Sequence, residues 1–130
     1  MTAQAVVLDT STAVPMLINR EEGPAIRQAV GMAEVFAPSH MAIEVVNVLR
    51  KHVRNHGLSA ATAEAALDHV DMLGIHWVDS RLLMREAWRL RDNASAYDAA
   101  YIAIASQIGG VVLSRDARLA RAFPSLVRVV

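Results

Sequence analysis

The sequence contains no cysteine. That excludes disulfides and thiolate metal sites, and it is compatible with a reducing cytoplasm. Lysine is nearly missing: Lys51 is the only one, and the other basic residues are arginines. Aromatic residues make up 5% of the chain, so Trp77 and Trp88 read as core or interface residues rather than a base-stacking platform. No uninterrupted apolar run approaches the ~20 residues that span a bilayer. Met1–Leu8 lacks the basic and long apolar regions of a secretory signal. These absences predict a cytoplasmic protein with no membrane contact. A basic excess is also missing, because 13 basic and 13 acidic residues cancel to a net charge of zero. That argues against a non-specific nucleic-acid coat. A nuclease stays open, since acidic metal ligands would offset basic phosphate contacts in the sum.

What is present fits one domain over residues 1–130, with 54% hydrophobic and 20% charged residues to build a core. Short apolar runs alternate with helical stretches. Val6–Leu8, Val35–Ala37, Ile75–Val78 and Val111–Leu113 read as buried strands, and Val127–Val130 as a terminal one. Helices are expected over about 10–19, from Pro24 to about Met32, and over 40–55 after a Ser39 cap. Further helices follow a Ser59 cap, start at Asp79 or Ser80, run over 96–107, and open at Asp116. In the helix after Asp79, the pattern puts Leu83, Ala87, Trp88 and Leu90 inward and Arg81, Arg85, Arg89 and Arg91 largely outward. Strand–helix alternation predicts an α/β fold with a central parallel sheet covered on both faces. Ligands in such folds bind at the carboxyl ends of strands where strand order reverses. That directs attention to Asp9, which ends the first strand, and Asp116, just past the fourth.

Four carboxylates stand in distinctive settings. Asp9 follows Val-Val-Leu, and Asp116 follows Leu-Ser-Arg. Glu44 lies in an otherwise apolar helical stretch, Met41–Val46. Asp98 opens a stretch with no other charge before Arg115. An acid in an apolar helix is unfavourable unless it is paired, hydrogen-bonded or metal-bound. Each acid taken singly also reads as a helix cap, an ion pair or a solvated edge. Taken jointly, four acids in one crevice would repel one another, and a hard divalent cation such as Mg²⁺ or Mn²⁺ would relieve that. The five histidines show no compact zinc spacing.

These segments resemble the ordered motifs of PIN domains, in particular VapC-type toxins. The resemblance rests on Val6–Ser11, on Glu44 with Asn47, on Tyr97–Ala105 and on Leu113–Leu119, and it covers the whole chain. It implies an α/β/α sandwich with strand order 3-2-1-4-5 and a Mg²⁺- or Mn²⁺-dependent endoribonuclease that forms a homodimer. It also implies a small cognate antitoxin that inhibits the enzyme, and tRNA or rRNA loops as targets. By motif, Asp9, Glu44, Asp98 and Asp116 match the acidic quartet. Asp9, Asp98 and Asp116 would hold metal, and Glu44 would orient or deprotonate the attacking water. Ser11, Asn47 and Ser114 would support them from behind.

Arg115 and Arg118 lie beside a proposed ligand and are candidates for RNA phosphate contact. Arg50, Lys51, His52, Arg54 and His56 form a basic run closing the Glu44 helix and are candidates too, although a solvated helix end explains them equally well. No glycine-rich phosphate loop occurs, and Asp9-Thr10-Ser11 is not the Asp-x-Asp of a haloacid-dehalogenase-type phosphatase. The remaining alternative is a non-catalytic metal- or RNA-binding module on the same fold.

Overall fold

Val6, Val7 and Leu8 pair in parallel with strands on both sides, as a β-branched apolar run buried on two faces should. The computed structural model describes residues 4–130, so positions 1–3 of the Met1–Leu8 stretch lie outside the described residues. The chain forms β1 (Ala5–Leu8), α1 (Thr10–Leu17), α2 (Gly23–Val30), β2 (Glu34–Pro38), α3 (Met41–Asn55) and α4 (Ala60–His69). A 3-10 turn (Val70–Leu73) leads into β3 (Ile75–Val78), and a second (Ser80–Leu83) into α5 (Met84–Arg89). Then come α6 (Ala96–Ile108), β4 (Val111–Ser114), α7 (Ala117–Ala122) and β5 (Val127–Val129). All pairings are parallel and the order is β3-β2-β1-β4-β5, as expected. Order reverses between β1 and β4, so their carboxyl ends open a crevice between the following loops.

Side chains of β1 alternate between two cores. Val7 joins Met41, Val45, Leu49 and the α6 residues on one face. Val6 and Leu8 join Met16, Ile26 and Leu113 on the other. Every residue of α6 from Ala99 to Ala105 is buried, because its alanines let the helix backbone lie close to the sheet. Ser95 caps α6 through the Asp98 amide, and Gly109 ends it in the left-handed conformation at φ 67°. Gly110 then enters β4 where a Cβ would collide with the Ala5 carbonyl oxygen. Only glycine lets β4 approach β1 this closely.

Two local expectations differ from the structure. Ser39 does not cap α3: His40 holds the cap position in helical conformation without a side-chain cap. The Ser39 hydroxyl instead meets the Ser80 hydroxyl and accepts from the Ser80 amide, both at 3.0 Å. Trp88 points outward and is 68% exposed, with the Arg91 guanidinium 4.6 Å from its ring centroid. The physical reason is phase. The 3-10 turn fixes Leu83 inward, so Ala87 and Leu90, one and two helical turns later, face in, while Trp88 falls on the flank. No helix is long and apolar enough to cross a membrane among the described residues.

Candidate active site

Asp9, Glu44, Asp98 and Asp116 line one cleft of about 920 Å³, together with Thr10, Ser11, Tyr101 and Arg115. All four acids stand at helix beginnings. Asp9 caps α1 and Asp116 caps α7, Glu44 lies in the first turn of α3, and Asp98 in that of α6. The positive ends of four helices thus favour negative charge at this one place. For Asp9 and Asp116 capping and cleft-lining are not alternatives, because each carboxylate does both.

Asp9 is held by more hydrogen bonds than the other three acids. Its Oδ1 accepts from the Ser11 hydroxyl at 2.6 Å and from the Thr12 amide at 3.1 Å. Its Oδ2 accepts from the fully buried Ser114 hydroxyl at 2.5 Å. Both serines face two ways. Ser11 Oγ accepts from the Arg115 amide, and Ser114 Oγ from the Asp116 amide, each at 3.0 Å. Two hydroxyls therefore tie the loop after β1 to the loop after β4. The Thr12 hydroxyl adds a third tie, reaching the Leu113 carbonyl at 3.1 Å. Burial still pushes the Asp9 carboxyl above its usual range, against these hydrogen bonds.

Asp98 is stressed differently. Burial raises its pKa first, then the charges of Asp116 and Glu44, with only the Ser95 hydroxyl opposing. Asp116 Oδ1 accepts from the Arg118 and Leu119 amides, at 2.9 and 3.3 Å.

Glu44 is clamped by residues the sequence did not single out as its partners. The Tyr101 hydroxyl donates to Glu44 Oε1 at 2.5 Å, and the Thr10 hydroxyl lies 3.3 Å from the same oxygen. A phenol has one proton, so with it committed to Glu44 the Tyr101 oxygen is free to accept from Thr10 at 3.2 Å. Burial, followed by this bond to Glu44, pushes the Tyr101 phenol far above its ordinary range. His40 stands behind: its Nε2 is buried without a hydrogen-bond partner, 3.7 Å from Glu44 Oε1, and its Nδ1 meets Ser80 Oγ at 2.9 Å. The signal for His40 was its position one helical turn before Glu44.

The expected phosphate contacts separate. Arg115 lines the cleft, whereas Arg118, Arg50 and Lys51 are exposed and lie outside its lining. Asn47 is also exposed, and its Oδ1 lies 3.5 Å from Arg50 Nη2. His52 and His56 of the same basic run do line the cleft, as does Arg20, which the sequence did not single out.

The four acids offer oxygen ligands only, which suits a hard divalent cation. The mutual repulsion felt by Asp98 is the stress such an ion relieves. No three acid, histidine or cysteine side chains are gathered into a ready cage among the described residues. Like charges spread apart, and Asp9 and Asp116 are bound to their own helix ends.

Known proteins resemble this chain over most of its length. The PIN domain family model matches residues 6–123. A Mycobacterium tuberculosis protein named Ribonuclease VapC3 is 32% identical over 123 residues, covering 94% of this chain and 90% of its own length. A Pyrobaculum aerophilum Ribonuclease VapC3 is 33% identical over 126 residues, covering 93% and 96%. The crystal structure of M. tuberculosis VapC20, described as a sarcin-ricin loop cleaving toxin, superposes with a TM-score of 0.62 at 17% identity, covering 92% and 95%. An acid-lined switch point on a 3-2-1-4-5 sheet, matched along nearly its whole length, means that the chain belongs to the PIN domain family and to its VapC branch.

Proposed function

We propose that this protein is a metal-dependent endoribonuclease, the toxin of a toxin–antitoxin pair, working in the cytoplasm as a single PIN-like domain over 1–130. The observation that carries the reading is the meeting of Asp9, Glu44, Asp98 and Asp116 in one cleft at the switch point of the sheet. The names of the VapC relatives support it. Asp9, Asp98 and Asp116 would hold Mg²⁺ or Mn²⁺. The ion, when bound, supplies Lewis-acid polarisation of the phosphoryl group and a more acidic water.

The chain's own groups divide the remaining work. The Ser11 and Ser114 hydroxyls orient Asp9, as supporting partners of a ligand do. The Tyr101 phenol, itself accepting from Thr10, occupies Glu44 Oε1, which leaves Oε2 as the oxygen able to take a proton from the attacking water. Water adds to phosphorus, the bond to the 3′-oxygen breaks, and that oxygen leaves with a proton from solvent. The products are a 5′-phosphate and a 3′-hydroxyl. Arg115 is placed to contact the phosphate, with Arg118, Arg50 and Lys51 as outlying charge and Asn47 as a polar neighbour. The target is a tRNA or rRNA loop, and the cleft is closed in the homodimer by a small cognate antitoxin.

The test is cleavage of total bacterial RNA by antitoxin-free protein with Mg²⁺, Mn²⁺ or EDTA, beside Asp98→Asn with folding checked by circular dichroism. Discrete cuts that need metal and vanish in the folded variant are expected. Folded wild-type protein that cuts nothing under either metal would sink the nuclease in favour of a binding module.

A further inference from the structure

Glu44, Val48 and His52 follow one another at four-residue steps along α3, His56 stands four residues on at its C-cap, and all four line the same cleft. At a rise of ~1.5 Å per residue, His52 lies about 12 Å and His56 about 18 Å along the axis from Glu44. Arg20, in the turn after α1, comes to meet them: its Nη2 is 3.3 Å from His52 Nδ1. A guanidinium only donates, so Nδ1 accepts and the ring proton sits on Nε2. The rings of His52 and His56 are 5.4 Å apart.

These three groups crowd one another. Burial lowers the proton affinity of His52, and the charges of Arg20 and His56 lower it further. No carboxylate forms an ion pair with any of the three among the described residues. Elsewhere the chain neutralises arginines locally: Arg81 holds Asp79 at 2.7 Å and Arg89 holds Glu86 at 2.8 Å. Glu22 lines the cleft as well but makes no such pair with Arg20. The cleft thus has one wall of acids and, along the same helix, one basic cluster without an ion pair. Val14, Ile18 and Val48 line it too and add apolar surface.

We propose that Arg20, His52 and His56 form a phosphate-binding subsite for the RNA strand that runs along the cleft from the scissile bond. Arg20 supplies the charge, and the histidines supply ring N–H donors. About 12 Å corresponds to roughly three to four nucleotides at the ~3.4 Å rise of a stacked strand. The subsite therefore grips the substrate several nucleotides from the cut. An acidic peptide would answer the same charge, but the cleft continues without interruption to the carboxylates, which is the path a phosphodiester chain needs. The inference rests on the endoribonuclease reading.

The experiment compares wild type with Arg20→Ala and with the double variant His52→Gln/His56→Gln. Cleavage of a single-stranded oligoribonucleotide gives kcat and KM. Binding of the same RNA is titrated against salt in an Asp98→Asn background, where turnover is blocked. KM should rise about ten-fold for Arg20→Ala, the scale of one charge-assisted hydrogen bond, with kcat within two-fold. The salt slope should fall by about 0.7 for each phosphate that the variant no longer neutralises. Unchanged KM and slope in both variants would overturn the subsite while leaving the nuclease standing, even if a glutamate-rich peptide bound the variants less well. A wild type that cuts no RNA would overturn the nuclease, and the binding arm would still judge the subsite. No RNA binding by any form would remove both.

Discussion

The two ends of the cleft are built on opposite plans. At the acidic end, Asp9, Ser11, Thr12, Ser114 and the Arg115 and Asp116 amides form a closed hydrogen-bond set around partly buried groups. At the basic end, Arg20 and His56 are exposed, and one long contact from Arg20 to His52 is the only hydrogen bond among the three side chains. Both ends concentrate like charge, but only the first is held in place by surrounding structure. A reacting centre needs fixed geometry before substrate arrives. A site for a flexible strand can be completed by the phosphate itself.

The largest effect should come from breaking the acidic end. Asp98→Asn should lower kcat on the order of 10³-fold or more, the scale of losing a group that stabilises the transition state. The same variant should unfold at a higher temperature than metal-free wild type, because it removes repulsion among Asp98, Asp116 and Glu44. A scan showing equal or lower stability would mean the acids do not strain the fold.

A smaller effect should follow Tyr101→Phe, which frees Glu44 Oε1 without removing the carboxylate. We expect kcat to drop about 10–100-fold with KM unchanged, as for loss of a supporting partner. In a Glu44→Gln background the same change should have little further effect. Independent losses that multiply in the double variant would show that Tyr101 does not act through Glu44.

Acidification should sharpen the contrast. The folded-state pKa values of Asp9 and Asp98 lie above the unfolded value of 3.8. Above the raised values both groups are ionised in either state, and the folded state bears the penalty. Protonation on the way down removes it, so this contribution is most favourable below 3.8 and is lost as pH rises through the raised values. Metal-free protein should therefore gain stability from these groups as pH falls from neutral toward 3.8, as read by denaturant midpoints. Asp98→Asn should flatten that dependence. The smallest effect belongs to Arg50→Ala and Lys51→Ala. These residues lie outside the cleft lining, so filter binding should show each weakening RNA affinity only about two-fold.

Much of this was legible in the sequence. The strands were readable because parallel strands buried on both faces are continuous β-branched runs, as in Val6–Leu8 and Val111–Leu113. Asp9 and Asp116 were readable because a strand end and a helix cap coincide there. The outward turn of Trp88 was not, since an apolar residue next to the inward stripe of Leu83, Ala87 and Leu90 reads as part of that stripe although the helical period puts it on the flank. Tyr101 showed its helix but not its partner, because a bond across 57 positions has no local signature. Arg20 escaped for the same reason: it meets His52 across 32 positions.

Gly110 sits at the opposite end of β4 from Ser114, with no part in any chemistry. It acts as the gauge of the sheet, as a sleeper sets the separation of two rails. Any side chain there would push the start of β4 off Ala5, and the rigid strand would carry the error forward to its far tip. The gap between Asp9 and the Asp116 loop, which Ser11 and Ser114 bridge with bonds of 2.5 to 3.0 Å, would then open. The tolerance of the reacting centre is thus set at the floor of the sheet, by the one residue that contributes no atoms beyond its backbone.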